Sequence, residues 1–180
     1  CWNNQLTSID VSNNTALTNL YCSDNQLTTL DVSSNIALDE LICSSNQLIT
    51  LDVSSNITLD SLFCGYQQQL TNLDLRNGNN TNISWNLSTN NCPNLYCISV
   101  DDVAWATANW TVANGKIDSW ANFSANCNLI YGCTDSLSCN YDPFATIDDG
   151  SCFYLYSGIY VNLGPGCDSL IVGNMVFYSL

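Results

Sequence analysis

The chain has no histidine and only two basic residues, Arg76 and Lys116, in 180 positions. Without histidine no Ser-His or Cys-His relay can be assembled, which removes the common routes to an activated nucleophile. With two cations against sixteen carboxylates, the net charge is −14. Nucleic-acid binding rests on Lys and Arg at phosphates, so that class is excluded. The same charge argues against an anionic membrane surface. No apolar run reaches the roughly 18 residues of a membrane helix, so no membrane insertion is expected. No signal peptide is present, and because the text opens in mid-repeat, any targeting segment is expected upstream or already removed. The apolar fraction, 46%, is ordinary, so the acidity is not that of a disordered tail. The length allows one or two domains with real cores.

What the chain does have is period. Cys1, Cys22, Cys43 and Cys64 stand 21 residues apart, and "CWNNQLTSIDVSNNTALTNLY", "CSDNQLTTLDVSSNIALDELI" and "CSSNQLITLDVSSNITLDSLF" superpose without a gap. "CGYQQQLTNLDL" begins a fourth copy with one residue inserted. A fixed period in this range marks stacked repeats. Leu20 and Cys22 are two apart and share one strand face, as do Leu41 and Cys43. A coil this small cannot bury its own apolar face, so the leucines must stack on the coils above and below. Ile9–Val11, Leu30–Val32 and Leu51–Val53 repeat the pattern in the second half of each coil. Asn25 and Asn46 recur at the turn after the strand, and Asn35 and Asn56 at a second turn. A buried Asn accepts and donates at once, so such columns can tie one turn to the next.

The four cysteines are therefore read as a ladder of buried thiols. Parallel neighbours lie about 4.8 Å apart, and their Cβ atoms stay that far apart, beyond the ~3.8 Å of a disulfide. Free thiols packing as small hydrophobes fit better. Four sulfurs in a line do not make the tetrahedron zinc needs, and no C-x-x-C is present.

The text L-x-x-L-x-C-x-x-N-x-L (Leu17, Leu20, Cys22, Asn25, Leu27, then Leu38, Leu41, Cys43, Asn46, Leu48) resembles the leucine-rich repeat. The resemblance is to its short, internalin-type form with a cysteine ladder in bacterial surface proteins. It covers residues 1 to about 100 and implies a right-handed parallel solenoid with a strand at L-x-x-L-x-C in each coil. Leu59, Leu62 and Cys64 make the next rung, and Leu87 is expected to take the fifth, delayed by the "RNGNNT" loop. Leu95 and Cys97 then fall where Leu30 and Val32 fell, and Cys92 where Leu27 did. The stretch to Cys127 is similar to the segment closing such arrays in secreted proteins of Bacteroidetes type. Trp105, Trp110, Trp120 and Phe123 would cover the end of the stack, which otherwise invites association. The resemblance implies a disulfide between Cys97 and Cys127.

From Tyr131, "YGCTDSLSCNYDPFATIDDGSCFY" resembles a small cysteine-bracketed module of large secreted proteins. Too small for a core, it needs staples. The resemblance implies Cys133–Cys152. Cys139 then looks to Cys167, and Cys92 is the odd thiol, buried in the last coil; the pairing of these three stays open. Asp135, Asp142, Asp148 and Asp149 could gather around calcium, the one cofactor the sequence offers, since it takes six to eight oxygen ligands. The plainer reading is that "DDG" is a turn and Asp142 opens the "DP" turn. The tail alternates apolar residues around Gly-Pro-Gly and reads as short strands. It is expected to be part of a larger β-domain or an edge pairing with another chain.

The fold class is thus mainly β: a short parallel leucine-rich repeat solenoid with an irregular C-terminal cap over 1–127, a small acidic disulfide-stapled module over 128–154, and a β-strand tail over 155–180. The column Asp10, Asp31, Asp52, Asp74 could suggest carboxylate catalysis, but that needs two carboxylates in different environments. Here the environment repeats, with Ser12, Ser33 and Ser54 following, and each Asp is expected to accept hydrogen bonds in its own turn. No enzymatic activity is expected. Outside the core, the position between Leu and Cys holds Tyr21, Ile42 and Phe63. Solenoids use this surface for partners, and an exposed apolar column is not what solubility requires; cross-strand packing is the alternative. Glycan acceptors would be the N-x-S/T residues Asn13, Asn56, Asn79, Asn82, Asn86, Asn109 and Asn122. The "DSL" residues Ser61, Ser136 and Ser169 fit the O-glycosylation pattern of the resembled group.

These features point to a secreted or cell-surface, non-enzymatic structural or adhesion protein. Two forms compete. One is a subunit or repeat of a cell-surface fibre, joined head-to-tail to copies of itself. The other is a monomeric adhesion module binding a glycan or protein through the strand face.

Overall fold

A computed structural model describes residues 1–84, 86–127, 131–142, 145, 147–152, 169–172 and 175–178. The chain divides into two units, Cys1–Cys127 and Asn128–Leu180. The first is a parallel β-solenoid of about five coils, its strands gathered in two four-stranded sheets. In the first sheet β1 (Asn19–Tyr21), β2 (Glu40–Ile42), β4 (Ser61–Phe63) and β6 (Leu87–Ser88) stack in that order. In the second, β3 (Thr50–Asp52), β5 (Asn72–Asp74), β7 (Cys97–Ser99) and β8 (Asn122–Ser124) do the same. Pairing is in register by coil: Leu20, Leu41, Leu62 and Leu87 lie side by side.

The strands are short because each coil must turn back within 21 residues. The central residue of each three-residue strand points inward and its neighbours outward. Leu41, Leu62 and Leu73 have no exposed surface, and burial of this kind stabilises by about 1.5–3 kcal/mol per side chain. After each first-sheet strand the backbone enters the left-handed region at Asn3, Asp24, Ser45, Tyr66 and Asn91, with φ between 53° and 60°. The neighbouring Gly65 is required for a different reason. A Cβ there would lie 2.7 Å from the Asn90 carbonyl oxygen of the next coil.

The asparagine columns hold the turns. Asn25 accepts from the Leu6 amide at 3.0 Å and donates to the Cys1 and Cys22 carbonyls at 2.9 and 3.1 Å. Asn46 repeats this with Leu27, Cys22 and Cys43. In the coil with the inserted residue, Gln67 takes the place, accepting from Leu48 at 3.0 Å and donating to Cys43 at 2.7 Å. The second column runs Asn35 to Val11 and Asn14, Asn56 to Val32 and Asn35, and Asn77 to Asn56.

The register of the fifth coil differs from the expectation drawn from spacing. Ile98 pairs with Leu73, which pairs with Leu51. Ile98 and Val100, not Leu95 and Cys97, therefore continue the Leu30–Val32 columns. Leu95, three residues earlier, takes the Leu27 place, and Cys92 falls in the asparagine column. There its thiol lies 3.7 Å from the Cys64 carbonyl, the role Gln67 plays one coil before. Leu87 does take the fifth leucine rung. The cysteine ladder ends at Thr89, buried, whose hydroxyl donates to the Lys116 carbonyl at 3.2 Å.

That carbonyl belongs to the cap. Helix α1 (Val103–Asn109) starts at Asp102, whose side chain accepts from the Trp105 amide. It lays Trp110, with no exposed surface, against Trp105 and Phe123 at ring-centroid distances of 5.3 and 5.8 Å. Trp120 remains 41% exposed, and its indole N–H donates to the Cys92 carbonyl. A disulfide joins Cys97 to Cys127.

In the second unit β9 (Tyr131–Gly132) pairs parallel with β10 (Ile147–Asp148), and β11 (Ser169–Val172) pairs antiparallel with β12 (Met175–Tyr178). Cys133 is bonded to Cys152. Cys139 is also in a disulfide; Cys167, which the sequence offers it, lies outside the described residues.

Candidate functional site

Each candidate site begins from the outward-facing residues of the two sheets. On the first sheet Tyr21, Ile42 and Phe63 are paired neighbours, one per coil. Tyr21 is 45% exposed, while Ile42 and Phe63 are half-buried. Two residues back on the same strands stand Asn19, Glu40 and Ser61. Glu40 accepts hydrogen bonds from the Tyr21 hydroxyl and from Asn19 Nδ2 at 3.2 Å. That bond to the Glu40 carboxylate holds the Tyr21 phenol above its ordinary pKa. Just before the strands lie Asp39 and Asp60, whose backbones are joined by a 2.9 Å hydrogen bond. Partial burial, then the nearby charges of Asp39 and Glu40, push the Asp60 carboxyl upward. Sequence reading found the apolar column but not its acidic border. The border does not repeat: the place of Asp39 and Asp60 is held by Thr18 in the first coil.

On the second sheet the aspartate column serves its own turns. Asp10, Asp31 and Asp52 accept from the amides of Ser12, Ser33 and Ser54 at 2.8–2.9 Å. Hydrogen bonds from the serines two residues on hold the Asp10 and Asp31 carboxyls below the ordinary range. Asp74 likewise accepts from the Arg76 amide at 3.0 Å and in addition pairs with its guanidinium at 2.5 Å, a side-chain bond that lowers its pKa. A cleft of about 310 Å³ lies beside this column, between Asp31 and Asp52, over Leu30. Asp31 accepts from both the amide and the hydroxyl of Ser33 and Asp52 from the Ser54 amide, so each carboxylate serves its own turn.

The ladder is chemically quiet. Cys22, Cys43, Cys64 and Cys92 are buried free thiols. Burial pushes Cys22 and Cys92 up to about 11 and Cys43 and Cys64 well above their ordinary value. Cys1 departs from the buried ladder. It is exposed, and its thiol donates to the Tyr21 carbonyl at 3.3 Å.

In the second unit Asp135, Asp148 and Asp149 accept from the amides of Leu137, Gly150 and Ser151, while an Asp142 carboxylate oxygen faces Gly132. Among the described residues no group of three or more Cys, Asp or Glu side chains is gathered for a metal ion.

The sequons divide by burial. Asn13, Asn82, Asn86, Asn109, Asn122 and Ser136 are exposed, and Asn79 is half-buried. Asn56 is a correction: it has no exposed surface and donates its amide to Val32 and Asn35, so the folded chain cannot present it. Ser61, 7% exposed, is likewise withdrawn. The side chain of Ser169 lies outside the described residues. Among the exposed apolar residues that escaped the sequence reading are Ile36 and Ile57, at 59% and 62%; their 21-residue spacing was the available signal.

No protein-family model and no curated protein matches this chain. It is similar to a solved structure described as the functional domain of InlJ from Listeria monocytogenes, which includes a cysteine ladder. The two are 22% identical over 67% of this chain and 33% of that one, with a TM-score of 0.34. This chain thus spans about a third of that structure. At that level the likeness carries no functional reading. Among the described residues no helix is long and apolar enough to cross a membrane.

Proposed function

We propose that this is a non-enzymatic, extracellular adhesion or structural module that works by surface contact, through the outer face of β1, β2 and β4. The observation that carries this is the Tyr21–Ile42–Phe63 column, held in one-coil register on a rigid sheet. A regular apolar face on a stacked scaffold is a preorganised contact surface, because its side chains lose little freedom on binding. The disulfides Cys97–Cys127 and Cys133–Cys152 support an oxidising compartment. The lack of histidine and the engagement of Asp10, Asp31 and Asp52 in their own turns support the absence of catalysis.

The test pairs microscopy and light scattering with binding to arrays of glycans and extracellular proteins. Monodisperse particles whose array binding is lost in Ile42→Ser/Phe63→Ser, but kept in Ile36→Ser/Ile57→Ser, support contact through the strand face. Filaments that form equally well in both variants would instead make the protein a fibre subunit and remove the strand face from its function.

A further inference from the structure

Among the described residues the acidic border of the strand face has no cation beside it. Among the described residues no Lys or Arg pairs with Asp39, Glu40 or Asp60, and Arg76 is committed to Asp74. Asp39 and Glu40 follow one another on one coil, and Asp60 stacks on Asp39 in the next, about 4.8 Å away. Like charges side by side on a sheet destabilise it, so the Asp39–Asp60 pair is not explained by solenoid stability. They differ from the aspartate column of the other sheet, where every carboxylate caps its own turn. Glu40 is also oriented: Tyr21 and Asn19 both donate to one of its oxygens, Oε2. The stripe therefore offers an apolar row edged by carboxylates whose repulsion only an incoming cation would relieve.

We infer that the occupant of this face is a protein segment bearing lysine or arginine, its apolar side chains on Tyr21, Ile42 and Phe63 and its cations at Asp39, Glu40 and Asp60. This rests on the strand-face contact proposed above and names its partner. A neutral glycan could lie on the apolar row but would leave the stacked carboxylates unrelieved. The net charge of −14 would steer a basic partner toward the molecule, and the local border would set where it docks.

The test uses a short peptide alternating lysine and leucine, its glutamate–leucine counterpart and a neutral cello-oligosaccharide, with binding measured by calorimetry. Wild-type protein should bind the lysine peptide alone, and more weakly as salt rises from about 0.05 to 0.5 M, where screening shortens the reach of surface charge. Asp39→Asn/Glu40→Gln/Asp60→Asn should weaken binding about tenfold, as expected for three exposed pairs. Asp10→Asn/Asp31→Asn/Asp52→Asn, which removes the same charge elsewhere and keeps each turn acceptor, should change it less than about twofold. Equal losses in the two triples would show diffuse attraction and overturn the inference. Ile42→Ser/Phe63→Ser should also weaken binding, with Tyr21→Ser as the more exposed substitution if the double variant folds poorly. If the oligosaccharide binds and is lost in the serine variants but not in the face triple, the strand-face reading survives and the cationic partner does not. If neither the serine variants nor the face triple changes binding, both readings fall. Asp39→Asn/Asp60→Asn should melt no lower than wild type; a lower Tm would show that these two carboxylates have a structural partner and remove the premise.

Discussion

Replacing Asn46 by alanine tests whether the asparagine column holds the solenoid together. Asn46 is 5% exposed and is bonded across two coils. Its Oδ1 accepts from the Leu27 amide at 2.9 Å, and its Nδ2 donates to the Cys22 and Cys43 carbonyls, each at 3.0 Å. The three groups do not lose equally. The Cys22 carbonyl keeps Asn25 and the Cys43 carbonyl keeps Gln67, whereas the Leu27 amide loses its side-chain acceptor. An orphaned buried donor costs about 1–3 kcal/mol and each lost net bond to a carbonyl about 0.5–1.5, so the variant should be destabilised by about 3–4 kcal/mol. With an m-value near 2 kcal/mol/M, the urea midpoint followed by tryptophan fluorescence should fall by about 1.5–2 M. The control is Gln47→Ala, at an exposed position, with a change under about 0.5 kcal/mol. A fall for Asn46→Ala of less than about 0.5 M would refute the reasoning, because water or a backbone shift would then satisfy the turn as well as the amide does.

Three further outcomes follow from the thiols and the second unit. Cys22 and Cys92 are held at about 11 against an ordinary 9.0. Their stabilising contribution is therefore full below pH 9 and is lost as pH rises toward 11, since the unfolded chain gives up those protons first. The melting temperature should fall across that window, and iodoacetamide at pH 8 should label Cys1 in the native protein but the buried four only after unfolding. The Cys97–Cys127 bridge spans a sequence separation of 30, so Cys97→Ala/Cys127→Ala should cost about 3–4 kcal/mol by loop-closure entropy; a loss under 1 kcal/mol in chemical denaturation would show that the tryptophan cap holds unaided. The acidic turns of the second unit are expected to stand without a cation, so excess EGTA should leave Tm unchanged. A drop that calcium reverses would show that Asp135, Asp142, Asp148 and Asp149 hold the ion.

Much of the solenoid is legible in the text because its determinants are local and repeated. One strand face needs apolar residues two apart, each turn needs a side chain that both donates and accepts, and both requirements recur every 21 residues. Legibility fails at the fifth coil. The "RNGNNT" loop breaks the count, and Leu95, Cys97, Ile98 and Val100 all lie within six positions. Spacing could not choose among them, whereas pairing with Leu73 does. The acidic border of the strand face was unreadable for a related reason. Asp60 is a full coil of sequence away from Asp39 and Glu40, and only stacking makes them neighbours.

The sequence by itself determined that the chain is a stack, how wide each coil is, and which residues form its leucine, cysteine and asparagine columns, because period and apolar alternation are properties of order along the chain. Only the tertiary structure decided that Cys92 joins the asparagines rather than the leucines, that Thr89 closes the cysteine ladder, that Asn56 is spent inside the fold, and that three carboxylates border the Tyr21–Ile42–Phe63 stripe. Each of these depends on what lies one coil away in space, at about 4.8 Å; for Cys92 and Thr89 a loop of irregular length also hides the register from the sequence.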